Sequence, residues 1–154
     1  MAAGSHPRWT RALLDAADLD AVERAIEAAE AETSGEIRVH LERKLPPGAG
    51  DALARARDVF ARLEMHRTAA RNGVLLYLAV DDHRLAIVGD EGIHARVGQP
   101  YWDEIRDAMV EHLRRGAPRQ ALLEAVARVG RALREHFPRR PGDENELSDR
   151  VSLE

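Results

Sequence analysis

Residues 72–92 read Asn-Gly-Val-Leu-Leu-Tyr-Leu-Ala-Val-Asp-Asp-His-Arg-Leu-Ala-Ile-Val-Gly-Asp-Glu-Gly, and no other stretch restricts the fold as much. Asn72-Gly73 opens a continuous apolar run from Val74 to Val80. A strand that is apolar at every position has both faces covered, so it belongs at the centre of a sheet. Asp81-Asp82-His83 supplies residues that take turn conformations, and Leu85 to Val88 carries the chain back. Gly89-Asp90-Glu91-Gly92 then sets acid between glycines. The segment predicts a β-hairpin with an acidic loop at each end.

The flanking residues supply the remaining elements. Asp18 or Asp20 is placed to cap a helix running to about Thr33, with Leu19, Val22, Ile26 and Ala29 at helical spacing. Glu36 to Glu42 alternates strictly, Ile37, Val39 and Leu41 against Glu36, Arg38, His40 and Glu42, which predicts a strand with one polar face. Asp51 caps a second helix carrying Leu53, Ala56, Val59, Phe60 and Leu63. Pro100 precedes a third, with Trp102, Ile105, Met109 and Leu113. A fourth carries Leu122, Val126, Val129 and Leu133 to about Phe137.

The helix between the first two strands suits a right-handed parallel crossover. The expected fold is therefore an α/β, three-layer α/β/α sandwich: a small mixed β-sheet flanked by about four helices. Residues 1–17 read as an N-terminal extension, 18–137 as the domain and 138–154 as a polar tail. The tail is acidic at Asp143, Glu144 and Glu146. Leu153 and Glu154 have no part in this expected fold.

Net charge is −4, which leaves no broad basic field and argues against nucleic acid as a partner. There is no cysteine, so disulfides and thiolate metal sites are excluded. The seven histidines are scattered without zinc-site spacing. No apolar run approaches the roughly 20 residues that span a bilayer, and residues 1–10 lack the apolar core of a signal peptide. A soluble, cytoplasmic monomer without direct membrane insertion is the expectation.

Parallel pairing of the first two strands sorts the polar loops into two poles. At one, Glu36, Asn72, Asp90 and Glu91 meet, and Asp103 at the start of the third helix can close over them. Oxygen-only clusters of this kind suit the hard cations Ca2+ or Mg2+. The expected ligands are Asp90, Glu91, Asp103 and Glu36, with Asn72 adding an amide oxygen or orienting one of them. Asp90 and Glu91 could equally be turn residues, and Asp103 and Glu104 could complement a helix dipole. At the other pole, Asp81 and Asp82 form an alternative metal pair or simply a hairpin turn. Arg38 could hold a phosphate bidentately, pair with Glu36 or Glu42, or line a solvated face.

Taken together, Ser34-Gly35-Glu36-Ile37-Arg38-Val39, Asn72-Gly73-Val74-Leu75-Leu76, Asp81-Asp82 and Val88-Gly89-Asp90-Glu91-Gly92-Ile93 resemble the TPM domain family. The likeness continues through Trp102-Asp103-Glu104-Ile105 and Asn145-Glu146-Leu147-Ser148-Asp149. Such domains occur in thylakoid-lumen proteins linked to photosystem II repair and in many bacterial proteins. The resemblance implies an α/β/α sandwich, divalent-cation binding in an acidic cleft and, for plant relatives, a weak acid phosphatase activity. It implies a role in assembly or repair of a membrane-protein complex. A metal-independent adaptor acting through an exposed apolar surface is the other reading.

Overall fold

The computed structural model describes residues 14–139 and 151–153. The hairpin is present: β2 (Gly73–Ala79) and β3 (Arg84–Gly89) pair antiparallel. β1 (Glu36–Glu42) pairs parallel with β2, Glu36 opposite Gly73 and Glu42 opposite Ala79. The intervening crossover carries α2 (Ala52–Arg62) and a 3-10 turn, Met65–Arg67. Asp51 caps α2 by accepting from the Ala54 N–H at 2.8 Å. A fourth strand, β4 (Ser152–Leu153), adds parallel to β1, so the order is β3-β2-β1-β4.

Two cores lie on opposite faces of this sheet, as a three-layer sandwich requires. One joins Ile37, Val39, Leu41, Val74, Leu76 and Leu78 to α1 (Ala16–Glu30), α3 (Glu91–Val97), α4 (Gln99–Arg114) and α5 (Pro118–His136). The other is smaller and joins Leu75, Tyr77 and Ala79 to α2 and Met65. β2 is buried at all its positions, as its unbroken apolar run predicts.

Several expectations need correction. α1 starts upstream of Asp18, because Asp15 is its N-cap and forms the capping box with Asp18, bonds of 2.8 and 3.1 Å. It ends at Glu30 rather than near Thr33, because Thr33 bridges to Pro138 and donates its hydroxyl to Leu133. Gly89-Asp90-Glu91-Gly92 is not a loop: Asp90 caps the additional helix α3, which makes five α-helices among the described residues. Gly92 serves close packing, since a Cβ there would lie 2.2 Å from the Ala70 carbonyl oxygen. Leu53, expected in the stripe of α2, is exposed.

The chain's last residues also contribute. Leu153 pairs with Leu41, and the Val151 N–H donates to Glu23 Oε2 at 2.9 Å. β1 is therefore flanked on both sides, and its polar face lies under α2 with Glu36, His40 and Glu42 buried. The acidic residues Asp143, Glu144 and Glu146 lie outside the described residues, as does the Asn145–Asp149 part of the family resemblance.

Candidate functional site

The topology brings Glu36, Asn72 and Asp90 to one end of the sheet. Glu36 is in register with Gly73, and the Asp90 N–H donates to the Gly73 carbonyl at 2.9 Å. The Glu36 N–H donates to the Asn72 carbonyl at 3.4 Å. Glu36, Gly73 and Asp90 thus form one row across three strands, with Cα atoms of the outer two about 10 Å apart at ordinary strand spacing. Strand alternation puts Asp90 on the face of Val88, which packs beside α2, and Glu36 shares that face. Gly73 places no side chain between the two carboxylates.

Two oxygens at this end lack donors. Asp90 accepts the Glu91 N–H through Oδ1 at 2.8 Å, while its buried Oδ2 has no hydrogen-bond partner. Asn72 is fully buried: its N–H donates to Thr68 Oγ1 and its Nδ2 to Ser34 Oγ, both at 3.2 Å. Its buried Oδ1 is left without a partner. A buried acceptor without a donor costs roughly 1–3 kcal/mol, so each of the two calls for a cause. Glu36 is 1% exposed in the same row.

The other expected residues lie differently. The Glu91 side chain is exposed and approaches Arg71 at 4.0 Å. Asp103 accepts from Gln99 Nε2 at 2.9 Å and stands 3.6 Å from Arg106, both on its own helix, lining a cleft beside Leu85 and Ile87. Among the described residues no three His, Cys, Asp or Glu side chains form a group that could hold a metal. At the second pole Asp81 accepts from Arg43 Nε at 2.9 Å and Asp82 from the Leu45 N–H at 2.7 Å. Both acids there are engaged in holding the hairpin turn to the chain after β1.

Arg38 sits on the covered face of β1 between Glu36 and His40. Its guanidinium is partly buried, its Nε has no hydrogen-bond partner, and burial lowers its pKa. An Arg Nε in that state is a donor awaiting an acceptor.

Sequence reasoning missed a buried polar network at the opposite end of the same face. Glu42 accepts from Arg55 Nε at 3.0 and 3.1 Å, from the other arm of that guanidinium, and from the Tyr77 hydroxyl at 2.6 Å. His40 Nε2 is 3.5 Å from Glu42, and its Nδ1 is 2.9 Å from Ser152 Oγ. Burial, and then the bond to Glu42, hold the Tyr77 pKa well above the ordinary tyrosine range. One signal was available: Arg55 falls three residues after Ala52 and four before Val59, on the buried stripe of α2.

The architecture defines a class, the α/β/α domain with a mixed sheet and its polar residues gathered at the sheet ends. The TPM domain family matches residues 10–132, and the chain belongs to that family. It is similar to the NMR structure of BA42 protein from the psychrophilic bacterium Bizionia argentinensis, at 40% identity and TM-score 0.82. That match covers 92% of this chain and 95% of that one. The N-terminal domain of cg2496 from Corynebacterium glutamicum shares the fold at 14% identity and TM-score 0.61, covering 84% of each chain. So does the N-terminal domain of a P. gingivalis protein, at 22% identity and TM-score 0.60, covering 83% of each. Among curated proteins no match was found. No helix among the described residues is long and apolar enough to cross a membrane.

Proposed function

We propose that the protein binds a divalent cation, Ca2+ or Mg2+, where Glu36, Asn72 and Asp90 meet. The observation that carries this reading is the pair of buried acceptor oxygens, Asn72 Oδ1 and Asp90 Oδ2, without donors. A hard cation satisfies acceptors that no hydrogen-bond donor reaches, and oxygen-only ligands favour Ca2+ or Mg2+. Two carboxylates and an amide are fewer than the about six to eight oxygens such ions take, so water and backbone carbonyls complete the shell and affinity is modest. Glu91, exposed beside the site, adds negative charge. Asp103, bonded within its own helix, is the weakest of the candidate ligands.

Titration with calcium and magnesium chloride, followed by amide NMR, tests this. Shifts confined to Asn72, Gly73 and Asp90 and their neighbours are expected. No response at millimolar metal rejects the site.

A second reading has its own observation, the unpartnered Nε of Arg38 on the same face as Glu36. It is a metal-assisted phosphatase of low activity, in which Arg38 holds the phosphate while the ion polarises a phosphoryl oxygen. Hydrolysis of a phosphomonoester, with and without metal, separates the two readings. Equal turnover by an Arg38→Ala variant excludes this one. The setting proposed from kinship is assembly or repair of a membrane-protein complex. A metal-independent adaptor predicts partner capture unaffected by chelator.

A further inference from the structure

β3 is the outer strand of the sheet, and its free edge is not closed by another strand among the described residues. The bond from the Asp90 N–H to the Gly73 carbonyl sets the phase of the β2–β3 ladder. Arg84, Ala86 and Val88 therefore bond to β2, and Leu85, Ile87 and Gly89 turn their N–H and C=O groups outward. Trp102 packs on the sheet face at the Gly89 end, since a Cβ on Gly89 would lie 2.3 Å from the indole. The stretch left unpaired by another described strand is Leu85 to Ile87, whose residues are only 9%, 5% and 8% exposed and form the floor of the space between α2 and α4.

Two further features converge on that stretch. Adjoining cavities of about 80 and 610 Å3 run along it between α2 and α4, and both are lined by Leu53, Leu85 and Arg106. Leu53 is the one large hydrophobic side chain that stands exposed among the described residues, and it forms the α2 wall of this groove. An exposed leucine beside unpaired strand groups is an edge that invites pairing. The charge of the groove selects the visitor. Arg84 is exposed and forms no ion pair among the described residues, whereas Asp51, also in the larger cavity, is committed to capping α2.

We propose that the open edge of β3 receives an extended peptide strand of a partner protein, with an apolar residue against Leu53 and an acidic residue paired with Arg84. Main-chain bonds to Leu85 and Ile87 supply attachment, and alternate side chains read the α2 and α4 walls, the logic of strand addition to a sheet edge. This inference is independent of any cation at the Glu36–Asp90 end.

The test uses the full chain and a panel of short acetylated peptides of alternating valine and threonine. Aspartate is scanned through each position, with lysine counterparts. Amide hydrogen exchange at Leu85 and Ile87 is the readout. An aspartate peptide is expected to slow exchange at these two amides and leave Ala86 and Val88, already bonded to β2, unchanged. Arg84→Glu, on an exposed side chain, should weaken that peptide by about tenfold and transfer the preference to lysine. The proposal is overturned if no peptide of the panel alters these amides at millimolar concentration. It is equally overturned if aspartate and lysine peptides bind both proteins alike. Protection that instead grows with protein concentration alone would assign the edge to a second copy of the chain and reject the peptide.

Discussion

The two ends of β1 carry buried carboxylates on the same face of the same strand, yet the polar atoms around them differ. Glu42 is saturated: Arg55 grips it through two nitrogens, Tyr77 donates its hydroxyl and His40 stands alongside. The neighbouring turn is also engaged, though at the surface, with Asp81 on Arg43 and Asp82 on the Leu45 N–H. At the other end Glu36 shares its row with Asp90, and both Asp90 Oδ2 and the adjacent Asn72 Oδ1 lack donors. Acidity is common to both ends; satisfaction is not. A carboxylate with its donors in place is a fastening, and the end with acceptors to spare is the one proposed to take a cation.

The fastened end should respond most strongly to substitution. Arg55→Met leaves Glu42 buried beside the Tyr77 hydroxyl and His40 with its principal counter-charge removed, and a loss of about 3–5 kcal/mol is expected in urea unfolding. The calcium response at the other end should persist in whatever fraction remains folded. Its loss in the folded protein would show that the two ends are one unit.

Asp90→Asn sharpens the open end. Asparagine caps a helix about as well as aspartate, so metal-free stability should hold. At about 100 times the dissociation constant, a bound cation adds about 2.7 kcal/mol to the wild type. The variant should lose that gain, read as the metal-induced shift in Tm. A shift of equal size in the variant removes Asp90 from the site.

Tyr77→Phe should cost about 2 kcal/mol by deleting a hydroxyl bonded to a buried carboxylate. It should also change the alkaline limb of the stability curve. Below the unfolded-state pKa of about 10 both states keep the tyrosine proton. Above it the unfolded chain releases the proton and the folded chain, whose Tyr77 pKa is raised, does not, so stability falls as pH rises. Urea midpoints compared at neutral and alkaline pH should show a shallower fall in the variant. An identical slope in both proteins would mean the alkaline loss arises elsewhere. The smallest effect belongs to Asp82→Ala, which removes one exposed bond to the Leu45 N–H. About 1 kcal/mol or less should be lost, with an unchanged response to calcium. A weakened response there would make the second pole a metal site after all.

Much of the fold was legible because local chemistry writes it. The strict alternation of Glu36 to Glu42, the apolar run after Gly73 and the Asp51 cap each matched the elements formed. The parallel pairing of β1 with β2 was expected, and it brings the backbones of Glu36, Asn72 and Asp90 to one end of the sheet. α3 was illegible because Gly92 reads as a breaker, and only the carbonyls of Ala70 and Arg71 pressed against it explain why glycine stands inside a helix. The contribution of Leu153 was illegible too. Two residues carry no periodicity, and their strand exists because β1 offers an edge and Ser152 meets His40.

The hairpin, the crossover and the identity of the acidic residues follow from residue type and spacing along the chain. The tertiary structure alone decided which acids are spent. The donors that engage Glu42, Asp81 and Asp82 arrive from other parts of the chain, and no spacing rule says that a donor fails to reach Asp90 Oδ2 or Asn72 Oδ1. Hydrogen-bond satisfaction is a property of the packed molecule, and it separates the fastened end of this sheet from the open one.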